Sequence, residues 1–91
     1  MVIADYTKVI ELNPSDARAY FYRGGAYSGK GDHDQAIADY TKAIELDPQR
    51  AGAYNNRGYD YAAKRDWDRA IADYTKVIEL DPSSDSAYDL L

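Results

Sequence analysis

Between residues 34 and 46 an apolar stripe runs through Ala36, Ile37, Tyr40, Ala43, Ile44 and Leu46, with acids, Thr41 and Lys42 among the residues between them. Steps of three and four place those residues on one side of a 3.6-residue helix. The same pattern returns at residues 68–80, and it is already present at residues 3–12 as IADYTKVIEL. A second, less apolar helical pattern precedes each full copy. The chain is therefore expected to alternate two kinds of helix. First helices run at about Ala17–Lys30 and Ala51–Lys64, second helices at about Ile3–Leu12, Asp34–Leu46 and Asp68–Leu80. Ser86–Leu91 reads as the first turns of another first helix.

The punctuation between these patterns supports the division. Gly31-Asp32 and Arg65-Asp66 separate the first helices from the second. Gly suits a left-handed residue after a helix, and Asp suits the following N-cap. Arg65 at the glycine position is expected to cost about 1 kcal/mol if its backbone is left-handed. Each second helix stops before a proline, at Pro14, Pro48 and Pro82, which can neither donate to a helix nor leave its predecessor in the α region. Ser15-Asp16 and Ser83-Ser84 offer caps to the helix that follows.

The phrase beginning at Ile3 recurs at Ile37 and Ile71, a spacing of 34 residues, and residues 3–36 match residues 37–70 at 20 of 34 positions. A fixed period of this length marks a repeat architecture. Each period holds an aromatic, then Gly, Tyr, Ala, an aromatic and Pro: Tyr20, Gly24, Tyr27, Ala36, Tyr40, Ala43 and Pro48 in one copy, and Tyr54, Gly58, Tyr61, Ala70, Tyr74, Val77 and Pro82 in the next. Tyr6, Val9 and Pro14 fit the end of a preceding copy, and Ala87 and Tyr88 the start of another. In these residues the chain resembles the tetratricopeptide repeat family over essentially its whole length. The resemblance implies an all-α fold, an α-solenoid of stacked antiparallel helix hairpins wound into a right-handed superhelix. It divides the chain into the second helix of a partial repeat (residues 1–16), full repeats at 17–50 and 51–84, and the start of a further repeat at 85–91. Two departures stand out. Tyr20 and Tyr54 replace a customary Trp, and Arg23 and Arg57 replace a customary Leu. An Arg on a packing face needs a partner when buried, and Asp39, Asp73 and Asp5 are the candidates.

The two full copies provide an internal comparison. Ala19, Tyr20, Arg23, Gly24 and Tyr27 are repeated as Ala53, Tyr54, Arg57, Gly58 and Tyr61, on one helix face, and that face reads as packing. The opposite face changes: Arg18, Phe21, Tyr22, Gly25, Ser28 and Gly29 become Gly52, Asn55, Asn56, Tyr59, Ala62 and Ala63. In the resembled family this face lines a concave groove that receives peptides. The resemblance therefore implies a groove of Arg18, Phe21, Tyr22, Gly25, Asn55, Asn56 and Tyr59. Aromatics supply contact area at small entropic cost, and Asn can pair with both polar groups of an extended backbone. One branch of the family clamps the C-terminal carboxylates of chaperones with five residues. Of these only Asn56 is kept, while Phe21, Gly25, Ser86 and Leu90 hold the other positions, so a chaperone-tail receptor is not expected.

Composition narrows the function further. A formal net charge of −5 argues against binding to a phosphate backbone, so no nucleic acid is expected. No apolar run approaches a membrane span and no signal segment opens the chain, so a cytoplasmic protein without membrane association is expected. Without cysteine there is no disulfide, thiolate metal site or thiol nucleophile. His33 is the sole histidine and is replaced one period later by Trp67, so it reads as filler of an aromatic slot rather than as a ligand or base. Gly24-Gly25 and Gly29-Lys30-Gly31 lack the rest of a phosphate-binding loop. The recurring acids Asp5/Glu11, Asp39/Glu45 and Asp73/Glu79 read as a solvated helix face with i,i+3 pairs to lysine. No enzyme activity, cofactor or metal is expected.

The expected function is a scaffold that binds an extended peptide or partner protein on the concave face of its first helices. The alternative is a self-assembly module. The chain opens within a second helix and closes within a first one. Uncapped repeats expose apolar faces that stack end to end or exchange terminal helices into a homo-oligomer. A piece of a longer or engineered array has the same appearance.

Overall fold

A computed structural model describes residues 2–81; the expected caps at Ser83-Ser84 and helical turns at Ser86–Leu91 lie outside the described residues. Five helices follow in order: α1 Ile3–Leu12, α2 Ala17–Gly29, α3 His33–Leu46, α4 Ala51–Ala63 and α5 Trp67–Leu80. Among the described residues there is no strand. The helix pairs α2/α3 and α4/α5 form hairpins, α3 packs on α4 to join them, and α1 packs on α2. The described residues are thus an α-solenoid of helix hairpins.

The helix ends shift by one residue from the expected positions, for a local reason. Asp32 and Asp66 are N-caps, accepting from the backbone N–H of Gln35 and Arg69, so α3 and α5 begin at His33 and Trp67. Their predecessors close through a Schellman pair. The Gly31 N–H donates to Ser28 and the Asp32 N–H to Tyr27, both at 2.9 Å, and the Arg65 and Asp66 N–H groups do the same to Ala62 and Tyr61. This closure demands a left-handed residue, with φ +81° at Gly31 and +65° at Arg65. Arg65 therefore carries the anticipated strain. Asp16 caps α2 through Arg18 and Ala19, whereas Arg50 at the start of α4 makes no side-chain cap.

Tyr in place of Trp has an evident role. The Tyr20 and Tyr54 hydroxyls donate to the carbonyls of Pro14 and Pro48 at 3.1 and 3.2 Å, tying each first helix to the turn before it. The core itself is built from small residues and large rings: Ala36, Ala43, Ala53 and Ala70 are buried around Tyr40, Tyr54 and Tyr74. Gly24 makes that possible. A Cβ there would stand 2.9 Å from the Tyr40 ring, and one at Gly58 would stand 2.9 Å from the Tyr74 ring. Helix propensity is given up to let α2 and α4 approach their partners.

Tyr40 is 1% exposed. Burial, followed by the nearby charge of Asp60, pushes its phenol from 10.0 up to about 12. The neutral phenol belongs to the folded state. Its contribution to stability is complete below pH 10 and is lost as pH rises through 12. The unfolding free energy is expected to fall by on the order of 2 kcal/mol across that window. Urea titrations between pH 9 and 12 check this: Tyr40→Phe should lessen the decline, leaving the part due to Tyr74, whose phenol burial also raises.

Candidate functional site

The constant faces contain buried ionic seams. Arg23 presents its fork to Asp39, with Nε at 2.7 Å from Oδ2 and Nη2 at 2.8 Å from Oδ1, and its Nη1 donates to Thr7 Oγ1 at 3.2 Å. Arg57 repeats the arrangement with Asp73 at 2.8 and 2.7 Å and with Thr41 at 3.1 Å. Each guanidinium also lies within 6 Å of two tyrosine ring centroids, Tyr20 and Tyr27 in one copy, Tyr54 and Tyr61 in the other. The hydrogen bonds to Asp39 and Asp73, opposed by desolvation, raise both Arg pKa values. Asp39 and Asp73 are buried, not members of a solvated face as expected from their recurrence. Recurrence alone does not separate a repeated surface from a repeated seam. Lys42–Glu45 and Lys76–Glu79 do form exposed i,i+3 pairs. Of the three candidate acids, Asp39 serves Arg23 and Asp73 serves Arg57, while the exposed Asp5 accepts from the Val2 N–H.

The variable faces of α2 and α4 lie next to one another. Phe21 of α2 reaches Gly52 of α4, and Ser28 of α2 donates to Asp60 of α4 at 2.8 Å. Tyr22 and Tyr59 are 51% and 59% exposed, the largest open aromatic surfaces on the first helices. Tyr22 stacks on Tyr6 at 6.0 Å. Asn55 and Asn56 are half-buried and joined by a 3.4 Å hydrogen bond. Arg18 and Gly25 are exposed, and Arg18 lies 3.6 Å from Asp16. Phe21 differs from the other groove candidates. It is half-buried, 5.9 Å from the Tyr40 ring, with the Arg50 guanidinium 5.3 Å over its face. Ser86 and Leu90 lie outside the described residues.

Sequence reasoning passed over Asp60. Its side chain is fully buried on α4. Its Oδ1 lies 2.6 Å from His33 Nδ1 and accepts from Ser28, and its Oδ2 is buried without a hydrogen bond. With Asp60 ionised, its oxygen accepts and the imidazole Nδ1–H donates. His33 therefore fills the register slot of Trp67 but also answers a buried charge. One period back, position 60 corresponds to Ala26. The exchange of Ala26 for Asp60 together with Trp67 for His33 was a readable signal. The trio is not arranged for nucleophilic catalysis. Asp60 stands between Ser28 and His33, and both bond the same oxygen, so no base takes the serine proton. Among the described residues no group of three or more His, Cys, Asp or Glu is placed to hold a metal ion. Nor is any described helix long and apolar enough to cross a membrane.

Comparison with known proteins agrees with this architecture. The first tetratricopeptide repeat domain of Spaghetti (RPAP3), solved with the HSP90 peptide SRMEEVD, superposes with a TM-score of 0.95 at 29% identity, covering 98% of this chain and 71% of that one. The Arabidopsis OM64 tetratricopeptide repeat domain gives 0.93 at 30% identity, covering 96% and 72%. YrrB, described as a protein of this type with an unusual peptide-binding site, gives 0.88 at 29% identity, covering 93% of this chain and 44% of that one. No curated protein sequence matches significantly. The tetratricopeptide repeat family model matches residues 17–50 and 51–84, stretches that contain the α2/α3 and α4/α5 hairpins, and the chain belongs to that family.

Proposed function

We propose that the protein is a non-catalytic interaction scaffold whose groove between α2 and α4 docks an extended segment of a partner protein. One observation carries this reading: two open tyrosines, Tyr22 and Tyr59, stand on touching first helices, and the joined Asn55–Asn56 amides lie one turn before Tyr59 on α4. The rings offer apolar contact at low entropic cost, and the amides match a peptide backbone. The RPAP3 domain binds an HSP90 peptide, which supports the docking mode. A peptide array or affinity capture identifies partners. Tyr22→Ala with Tyr59→Ala should weaken their binding by about thirtyfold or more. Partners that bind the double variant as well as the parent place the groove elsewhere. Phe21 is left intact in this test, since its packing against Tyr40 makes it part of the fold.

A second reading rests on α5. His33 and Ile37 of α3 are half-buried, yet their counterparts Trp67 and Ile71 are 58% and 50% exposed. Self-association through this face would cover them. Light scattering over a dilution series should then show a mass that rises with concentration and falls back with Trp67→Arg. A constant monomer mass removes this reading.

A further inference from the structure

The interior junction of α2, α3 and α4 is bare at one place where the next unit carries a ring. Gly25 is exposed on α2, and outside its own helix a Cβ there would meet only the Tyr40 hydroxyl, at 3.6 Å. A Cβ on Gly29, one turn on, would meet nothing within 4 Å. One period later these positions are Tyr59 and Ala63. The phenol of Tyr59 lies near enough to Tyr74, the counterpart of Tyr40, to add to what burial does to its pKa. The Tyr40 hydroxyl instead points at a stretch of helix without side chains. From α4, Asn56 hydrogen-bonds that hydroxyl, and its own Oδ1 accepts from Asn55. Asp60 follows Asn56 by one turn, as Ser28 follows Gly25, and Ser28 donates to Asp60 at 2.8 Å.

We propose that this bare stretch seats a positively charged side chain of the docked segment. The proposal rests on the groove reading, because Gly25, Asn56 and Tyr59 belong to that groove. Its independent support is Asp60. That side chain is fully buried, its hydrogen bonds from Ser28 and His33 both fall on Oδ1, and Oδ2 has none. A carboxylate bonded on one side only leaves a negative potential around it, which carries further in the interior than in water. That potential reaches Tyr40, where it adds to burial in pushing the phenol up. The flanking cations are engaged elsewhere. Arg18, Arg50 and Lys64 pair with Asp16, Asp47 and Asp34, and Lys30 lies on the α1 side of α2, beside Val2 and Ala26. An incoming ammonium finds acceptors in the Tyr40 oxygen and Asn56 Oδ1, and an open ring in Tyr59. The net charge of −5 draws the same kind of partner. A carboxylate meets that field with the wrong sign.

The probes are acetyl-Ala-Lys-Ala-amide and its norleucine and glutamate forms, titrated into the full chain and followed by amide NMR. Saturable shifts are expected at Gly25, Gly29 and Asn56, with the lysine form binding about fivefold more tightly than the norleucine form and the glutamate form weakest. Gly25→Tyr, which copies Tyr59, should abolish the shifts at Gly29 and Asn56. Asp60→Ala, which copies Ala26, should bring the lysine form down to the norleucine level, with the fold checked by circular dichroism. Asp60→Asn, which keeps the shape, should do the same. Equal binding of the lysine and norleucine forms overturns the proposal, as does a lysine preference that survives both Asp60 substitutions. Lysine shifts confined to exposed acids such as Asp34 and Asp68 mean diffuse attraction to an acidic chain and overturn it too. Partner capture still sensitive to Tyr59→Ala, without any lysine preference, removes the cation seat and leaves the groove reading standing.

Discussion

Replacing Asp39 with alanine is expected to lower the unfolding free energy by about 3–5 kcal/mol, the usual cost of stranding a buried charge. Asp39 is 5% exposed and receives two of the three hydrogen-bonded arms of Arg23, whose third arm reaches Thr7. Three helices, α1, α2 and α3, meet at that guanidinium. Without the carboxylate, Arg23 must either remain unpaired or withdraw toward water, breaking its link to α1. A domain of this size has only about 5–15 kcal/mol in total, so the variant should be partly unfolded at physiological temperature. Urea unfolding followed by circular dichroism measures the loss. Asp39→Asn keeps the shape and one acceptor and should lose less. A change under 1 kcal/mol for Asp39→Ala would mean that the seam does not hold the helices together.

The second large effect is conditional. His33→Ala removes a hydrogen-bonding partner from Asp60 Oδ1 while Oδ2 is already without one. The buried carboxylate is then held by Ser28 alone, and a loss of about 2–4 kcal/mol is expected. Asp60→Ala is expected to be milder, since Ser28 and His33 are only half-buried and can turn to water, and Ala26 already fills the equivalent position. The decisive comparison is the double variant. Adding Asp60→Ala to His33→Ala should raise stability above that of His33→Ala alone. If the second substitution lowers it further, both side chains act mainly by filling space.

Architecture was open to the sequence because it is written in period. The 34-residue spacing, the prolines and the Gly31-Asp32 turn each report on backbone geometry, and the helices lie within one residue of where those signals put them. Charges were harder. Asp39 and Asp73 recur with the same spacing as solvated acids, and only contact with Arg23 and Arg57 across the hairpin separates the two cases. Asp60 was missed for the opposite reason: it breaks the repeat, and its meaning depends on His33, 27 residues away and on another helix. The residues proposed for the groove are a set of changing positions. Phe21 changes too, yet it is seated against Tyr40, because a position can vary for packing as well as for binding.

The pairing of positions 33 and 60 has a bearing on how such a chain can be inherited. Its two full units repeat one another at most positions, so a chain with one unit added or deleted would keep the same helices. A tandem copy of residues 51–84 would set Trp67 beside a second buried Asp60, placing an indole where the imidazole Nδ1 now answers the carboxylate. A tandem copy of residues 17–50 would set His33 beside Ala26, with nothing to accept its proton. Either recombinant keeps every helix and yet misfits at one junction. The units look alike but are ordered, and a single buried carboxylate guards that order against shuffling.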